Sequence, residues 1–255
     1  MPPVRLVSYL APGFPHSLFE RVGELIDAEV WFDEERSGPD PGDDPFVDGR
    51  ADLGWVCSTS YVQLSRRSST PTVHLAGVAW VPDDPDVTGR PVYFGDLVVR
   101  SGLEVGDLDD LAGYTIGCND PVSLSGHHAL RTALRDRGHD PERFADLLFT
   151  GGHHRSIDLV VAGRLDAAVV DSGVRLTRAR SDARVAALRL VARLGPWPVQ
   201  PLVAAAGLDP TLVDSIRDRL LGLGPELATE LAAAGLTGLV AVTDDHYAAV
   251  ETVFD

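Results

Sequence analysis

The chain has 255 residues, of which 44% are apolar and 24% charged, enough for one large globular domain or two modest lobes with a sizeable core. Its formal net charge is −16 and its pI is about 4.7, so nucleic acid and anionic membrane surfaces would be repelled and are excluded as partners. All 22 basic residues are arginine, which excludes lysine Schiff-base chemistry and a Walker-type phosphate lysine.

Val4 to Leu10 reads as a first strand, with Tyr9 near its end. Ala11 to Pro15 is a loop, Ser17 to Ile26 has helical spacing, and Val30-Trp31-Phe32 is a short strand. The Pro-, Gly- and Asp-rich stretch from Asp33 to Asp44 reads as a solvated loop. Ala51 to Val56 is a buried strand, and Cys57-Ser58-Thr59-Ser60 opens a helix with Tyr61 and Leu64 on its inner face. Thr72 to Val81 and Val92 to Arg100 are strands, and Leu108 to Leu111 is a helical turn closed by Gly113. Tyr114 to Cys118 is another buried strand. A polar loop, Asn119-Asp120-Pro121-Val122-Ser123-Leu124-Ser125-Gly126, follows it and opens a helix from His127 to Arg137. A mixed segment ends at Gly151-Gly152-His153-His154, and a helix runs from about Arg155 to Val161. Ala167 to Val170 is a strand ending at Asp171-Ser172, and Leu188 to Val191 is a strand ending at Gly195-Pro196-Trp197-Pro198. Val199 to Ala205 is extended. Two helices, Pro210 to Leu221 and Pro225 to Ala234, a strand at Leu239 to Val242 and a short helix from Asp244 complete the chain. This alternation predicts an α/β fold with mostly parallel sheets.

In open α/β sheets, ligands bind beyond the carboxyl ends of the strands. Three predicted strand ends carry small hydroxyl residues before a helix: Val56 before Ser58-Thr59-Ser60, Cys118 before Ser123-Leu124-Ser125-Gly126, and Val170 before Asp171-Ser172. Helix N-termini offer unpaired N–H groups and a partial positive charge, so two such ends would grip an oxyanion without any lysine. Ordinary N-capping by Ser and Asp explains the same residues, and both readings stay open. Trp55 and Trp197 are the tryptophans placed nearest such a pocket, with a core role as the alternative. Adjacent helical residues point about 100° apart, so the pairs His127-His128 and His153-His154 do not each chelate a metal. A joint site of His128, His153 and Asp171 is the alternative to a polar wall, and no metal or cofactor is expected. The two cysteines, Cys57 and Cys118, are read as reduced thiols in apolar settings.

Several segments, in order, resemble the phosphate/phosphite/phosphonate substrate-binding proteins of ABC transporters. Residues 119–126 resemble that family's N-D-P-x-S-T-S-G loop, with Leu124 in place of the middle Thr. Asp96 to Gly102 with Leu108 to Gly113, Phe149 to His154, Val161 to Ala168, and Gly238 to Tyr247 resemble four further family segments. The resemblance implies a two-lobed type 2 periplasmic-binding-protein-like fold with two crossing hinge strands. One lobe would be residues 1–94 plus 198–255 and the other 95–197, with the ligand cleft between them. It implies that Ser123, Ser125 and His153 bind an anionic group, with Leu124 beside them. Asp171 lies near the acid that receives a substrate amino group. Ser58, Thr59, Tyr61, Tyr9 and Trp55 are the first lobe's candidates.

The function expected is therefore binding of a small anionic or zwitterionic solute, phosphonate-like or another oxyanion, with an ABC permease as the implied partner. The alternative is a cytoplasmic biosynthetic enzyme of lyase, dehydratase or cofactor-biosynthesis type on the same fold, with His153 and Asp171 as acid and base. The stretch Met1 to Leu10 is too short an apolar run for a signal peptide, which reads as cytoplasmic, or as periplasmic or extracellular if a leader has been removed. No run of roughly 18 apolar residues suggests a membrane span.

Overall fold

The computed structural model describes residues 3–10, 13–40 and 42–254. Part of the expected loop at Ala11 to Pro15 (Ala11 and Pro12) and Pro41 of the acidic loop lie outside them. The chain divides into two compact units, Met1–Val92 with Pro198–Asp255, and Tyr93–Trp197.

The first unit opens with strand β1 (Val4–Ser8) and helix α1 (His16–Ile26). Leu18, Val22 and Ile26 recur every fourth residue and form the buried stripe of α1, with Phe19 beside them. Strands β2 (Ala28–Phe32) and β3 (Leu53–Trp55) follow, then α2 (Ser58–Ser65) and β4 (Val73–Pro82). Strand β5 (Val92–Val99) carries the chain into the second unit. There a 3-10 turn, Leu108–Leu111, is capped reciprocally by Asp107 and Asp110. Strand β6 (Thr115–Cys118) leads to a wide turn at Leu124–His128 that runs straight into α3 (Ala129–Asp136). Next come α4 (Pro141–Phe144), β7 (Asp146–Phe149), α5 (His153–Val161), β8 (Ala167–Asp171), α6 (Ser172–Ala179) and α7 (Ala183–Ala186). Strand β9 (Arg189–Pro198) returns the chain to the first unit. That unit is completed by β10 (Pro201–Ala205), α8 (Pro210–Gly222), α9 (Ala228–Ala233), β11 (Leu236–Ala241) and a 3-10 segment, Asp244–Phe254.

The first unit's sheet has the order β11-β4-β10-β3-β1-β2. Strand β1 pairs in parallel with β2 and β3, whereas β10 runs antiparallel to β3 and β4, and β11 antiparallel to β4. Helices α1, α8 and α9 bury one core, in which Leu6, Leu53, Trp55, Trp80 and Leu202 meet Phe19, Ile216 and Leu231. The second unit's sheet has the order β7-β6-β8-β5-β9, with β6 parallel to β7 and β8, and β5 antiparallel to β8. Side chains alternate across a strand, so β5 and β8 serve two cores. Leu97, Val99, Ala167 and Val169 pack with α3, while Val98, Ala168 and Val170 pack with α5 and α6.

Three expectations are corrected. Both sheets are mixed, not mostly parallel, because β10 and β5 enter antiparallel as the chain passes between units. The helix expected after Asp171-Ser172 is α6, but its extent and the whole of α7 went unassigned, since their arginine-rich, weakly apolar sequence hides a stripe anchored by Val174 and Val185. The acidic loop is not wholly solvated: the Ser37 carbonyl accepts from the Cys57 N–H at 2.8 Å, and Gly38 is buried against Ser60.

Candidate functional site

In the second unit, the loop after β6 starts its helix with two i to i+5 hydrogen bonds. His128 N–H donates to the Ser123 carbonyl at 3.0 Å, and Ala129 N–H to the Leu124 carbonyl. Such wide turns recur at functional sites. Ser123 is the N-cap, its hydroxyl oxygen accepting the Gly126 N–H at 3.1 Å. Asp120 closes the preceding turn by accepting the Val122 N–H at 2.9 Å and the Asn119 side-chain N–H at 2.8 Å. Ser125 is buried, and among the described residues no hydrogen bond occupies its hydroxyl. Leu124 is fully buried.

Two glycines let this loop sit where it does. A Cβ on Gly126 would lie 1.9 Å from Asn119 Oδ1 and 2.9 Å from His153 Cε1. A Cβ on Gly95, in β5, would lie 2.4 Å from the Ser125 carbonyl oxygen. Gly95 was missed at the sequence level, although a lone glycine inside the apolar strand Val92–Val99 signals a close backbone approach. The loop, the start of α5 and the end of β8 thus converge, bringing Ser123, Ser125, His153 and Asp171 together in one unit.

His153 is the first residue of α5. Its Nδ1 accepts the Asp171 backbone N–H at 3.3 Å, so the ring proton resides on Nε2. Burial, with His154 adding a smaller push, drives its pKa down to about 3. The ring is therefore a neutral N–H donor at ordinary pH. Asp171 is buried and caps α6, its Oδ1 accepting from Gly173 N–H at 2.8 Å and Val174 N–H at 3.3 Å. His127 points elsewhere, its Nδ1 donating to the Pro121 carbonyl at 2.8 Å, and burial lowers its pKa. Among the described residues, no three His, Cys, Asp or Glu side chains converge as metal ligands, so His128, His153 and Asp171 do not form a joint metal site.

A second polar cluster in this unit was also missed. Asp96, wholly buried in β5, accepts from Arg175 Nε at 2.6 Å and Arg193 Nε at 2.9 Å, and the Arg193 guanidinium lies 4.2 Å from the Phe94 ring centroid. A lone aspartate within an apolar strand was its sequence signal.

In the first unit, the predicted residues are mostly committed to the protein itself. Trp55 is fully buried and stacked on Trp80 with centroids 4.2 Å apart, which corrects its reading as a pocket wall: it faces the α1, α8 and α9 core. Ser58 spends its hydroxyl proton between the Pro198 and Val199 carbonyls, at 2.9 and 3.0 Å. Thr59 bonds the Cys57 sulfur at 3.2 Å. The Tyr61 hydroxyl is held by the Asp244 carboxylate, and its ring meets Tyr247 edge-on at 5.1 Å. Tyr61 and Tyr9 are both buried, and burial is the chief cause raising the pKa of each phenol. Trp197, in the second unit, packs against the core shared with α3. Cys57 and Cys118 are free and buried, and burial followed by the Asp120 charge pushes the Cys118 thiol up to about 12.

The family profile described as phosphonate periplasmic substrate-binding protein of an ABC transporter matches residues 44–247. No curated protein sequence matches the chain. Among solved structures, it is similar to a binding-protein component of a phosphonate ABC transporter from Pseudomonas aeruginosa, with 15% identity, a TM-score of 0.78, and coverage of 98% of this chain and 85% of that one. It is also similar to a Prochlorococcus marinus protein solved with methylphosphonate, with 17% identity, a TM-score of 0.76, and coverage of 98% and 96%. A Xanthomonas citri protein solved with a chloride ion gives 17% identity, a TM-score of 0.73, and coverage of 99% and 98%. At these identities the structural likeness establishes the fold, the two-sheet α/β architecture of type 2 periplasmic-binding proteins, and the profile match establishes the family. With residues 44–247 matched and that fold in place, this chain belongs to the phosphonate periplasmic substrate-binding protein family of ABC transporters.

Proposed function

We propose that the chain captures a small phosphonate-like oxyanion in a cleft between its two units and hands it to an ABC permease. The second unit grips the anion through Ser125 and the start of the helix opened by Ser123, together with the Nε2–H of His153. The first unit closes over it, with Thr59 and Tyr9 as its candidate contacts. Leu124, fully buried between the two serines, shapes the loop. The family's periplasmic designation supports a site of action outside the cytoplasm, and among the described residues no helix is long and apolar enough to cross a membrane.

The observation that carries this reading is the convergence of the Ser123–Gly126 turn with a neutral, donor-only His153 nitrogen. It also weighs against acid–base catalysis. The His153 nitrogen that would act as a base is already an acceptor for Asp171 N–H, and Oδ1 of the Asp171 carboxylate is engaged as a helix cap. The test is a thermal-shift screen with phosphate, phosphite, methylphosphonate, 2-aminoethylphosphonate, sulfonates and carboxylates. A ligand at a hundred times its Kd adds about 2.7 kcal/mol, raising Tm by roughly 5–10 °C. Phosphonates are expected to raise Tm in the wild type and not in Ser125→Ala or His153→Ala. A screen in which no oxyanion shifts Tm refutes the reading. Turnover of a bound compound, seen by mass spectrometry, replaces it with the enzymatic alternative.

A further inference from the structure

The chain passes between its units twice, at Val92–Tyr93 and at Trp197–Pro198. On the first unit's side, both passages are tied down by side chains. The Ser58 hydroxyl donates to the carbonyls of Pro198 and Val199 at 2.9 and 3.0 Å. The Pro91 carbonyl, which can only accept, takes the Val199 N–H at 3.1 Å and the His246 Nε2–H at 2.9 Å. Ser58 and His246 are themselves on braced elements. Ser58 begins α2, and one turn later Tyr61 is bound to Asp244 and packed on the fully buried Tyr247, the two residues flanking His246 within two positions. Arg66 adds an ion pair from α2 to Glu251 at 2.6 Å. On the second unit's side, Asp96 holds Arg193 of β9, and Arg193 covers Phe94 of β5.

We propose that Ser58 and His246 are positioning residues for ligand capture: they fasten Pro91, Pro198 and Val199 to the first unit and so confine bending to residues 92–93 and 194–197. This rests on the cleft-binding reading above. It also changes the assignment of Ser58, whose proton serves the hinge backbone instead of an anion. A narrow hinge lets the units move as rigid bodies with little internal loosening.

The test uses the full chain and four variants: Ser58→Ala, His246→Ala, the double alanine variant, and His246→Gln, which retains an N–H donor. Hydrogen exchange is read at the Val199 amide and at the amides of β1, and methylphosphonate dissociation is followed by stopped flow. Loss of one anchoring hydrogen bond is expected to speed Val199 exchange by roughly 2- to 10-fold while β1 keeps its wild-type protection, with the double variant faster still. His246→Gln should recover most of the slow exchange, and methylphosphonate should leave both alanine variants faster than it leaves the wild type. The proposal is overturned if Val199 exchanges at the wild-type rate in both alanine variants, or if Val199 and β1 accelerate together. An unchanged dissociation rate in variants whose Val199 amide has loosened overturns it as well. If the wild type binds no methylphosphonate, the functional reading fails for that probe, and the exchange arm still decides the anchoring.

Discussion

Replacing Gly126 with alanine sets two effects of opposite sign against each other. Gly126 lies in the wide first turn of the helix that continues as α3. Helix propensity alone favours Gly→Ala by about 1 kcal/mol. The new Cβ, however, would sit 1.9 Å from Asn119 Oδ1, 2.9 Å from Asn119 Cγ and 2.9 Å from His153 Cε1. Asn119 is short and tied to Asp120 at 2.8 Å, so it yields only by giving up that bond, and His153 yields only by leaving the Asp171 N–H. Overpacking of this kind costs about 1–3 kcal/mol. The net expectation is a loss of up to about 2 kcal/mol, a Tm lower by a few degrees, and weakened anion binding because His153 has moved. Gly222, at the end of α8, has nothing within 4 Å of its Cβ position, so Gly222→Ala is the matched control and should be neutral or stabilising. Urea unfolding at constant m, with a methylphosphonate titration of each variant, separates the terms. If Gly126→Ala raises the midpoint as much as the control and binds like the wild type, the close-approach reasoning is wrong.

Asp96→Ala would strand two arginines around an empty carboxylate site, and a loss of roughly 3–5 kcal/mol in chemical denaturation is expected; a variant within experimental error of the wild type would contradict the buried triad. Because the folded pKa of His153 is about 3 and the usual value 6.5, the unfolded chain binds more protons between those limits. Stability should therefore fall as pH drops from 6.5 toward 3, by up to about 1.4 kcal/mol per pH unit from this group. The lowered pKa values of His74, His127 and His154 act in the same direction, so the measurement is the difference in slope between wild type and His153→Asn, which should be shallower. Equal slopes would show that His153 is not buried as a neutral ring. Burial raises the Cys118 thiol to about 12, so native protein at pH 8 should resist a disulfide reagent at Cys118 until it is unfolded, as followed by release of the coloured thiolate.

Much of the fold was legible in residue patterns. The fourfold spacing of Leu18, Val22 and Ile26 announced α1, and the apolar runs at Thr115–Cys118 and Ala167–Asp171 announced central strands buried on both faces. The Ser-Leu-Ser-Gly loop and the Gly-Gly-His-His turn stood out as candidates because hydroxyls, glycine and helix starts have local signatures. Which residues meet there did not follow from those signatures. That His153 faces Gly126 and takes the Asp171 N–H depends on β6, β7 and β8 lying side by side, a pairing between residues up to 51 positions apart along the chain. The antiparallel entry of β5 and β10, invisible to a periodicity that is the same in either direction, turned an expected parallel sheet into two mixed ones. Trp55 and Ser58 mark the boundary most clearly. Both stand at the end of a strand, where sequence alone makes a ligand contact plausible. Packing turned Trp55 toward Trp80 and the core, and the return of the chain at Pro198 and Val199 claimed the proton of Ser58. The sequence by itself determined the elements and the chemistry available at their ends, since those depend on near neighbours. Only the tertiary structure decided which of those groups remain for a ligand, because a buried hydroxyl or ring bonds to whatever distant segment the fold brings against it.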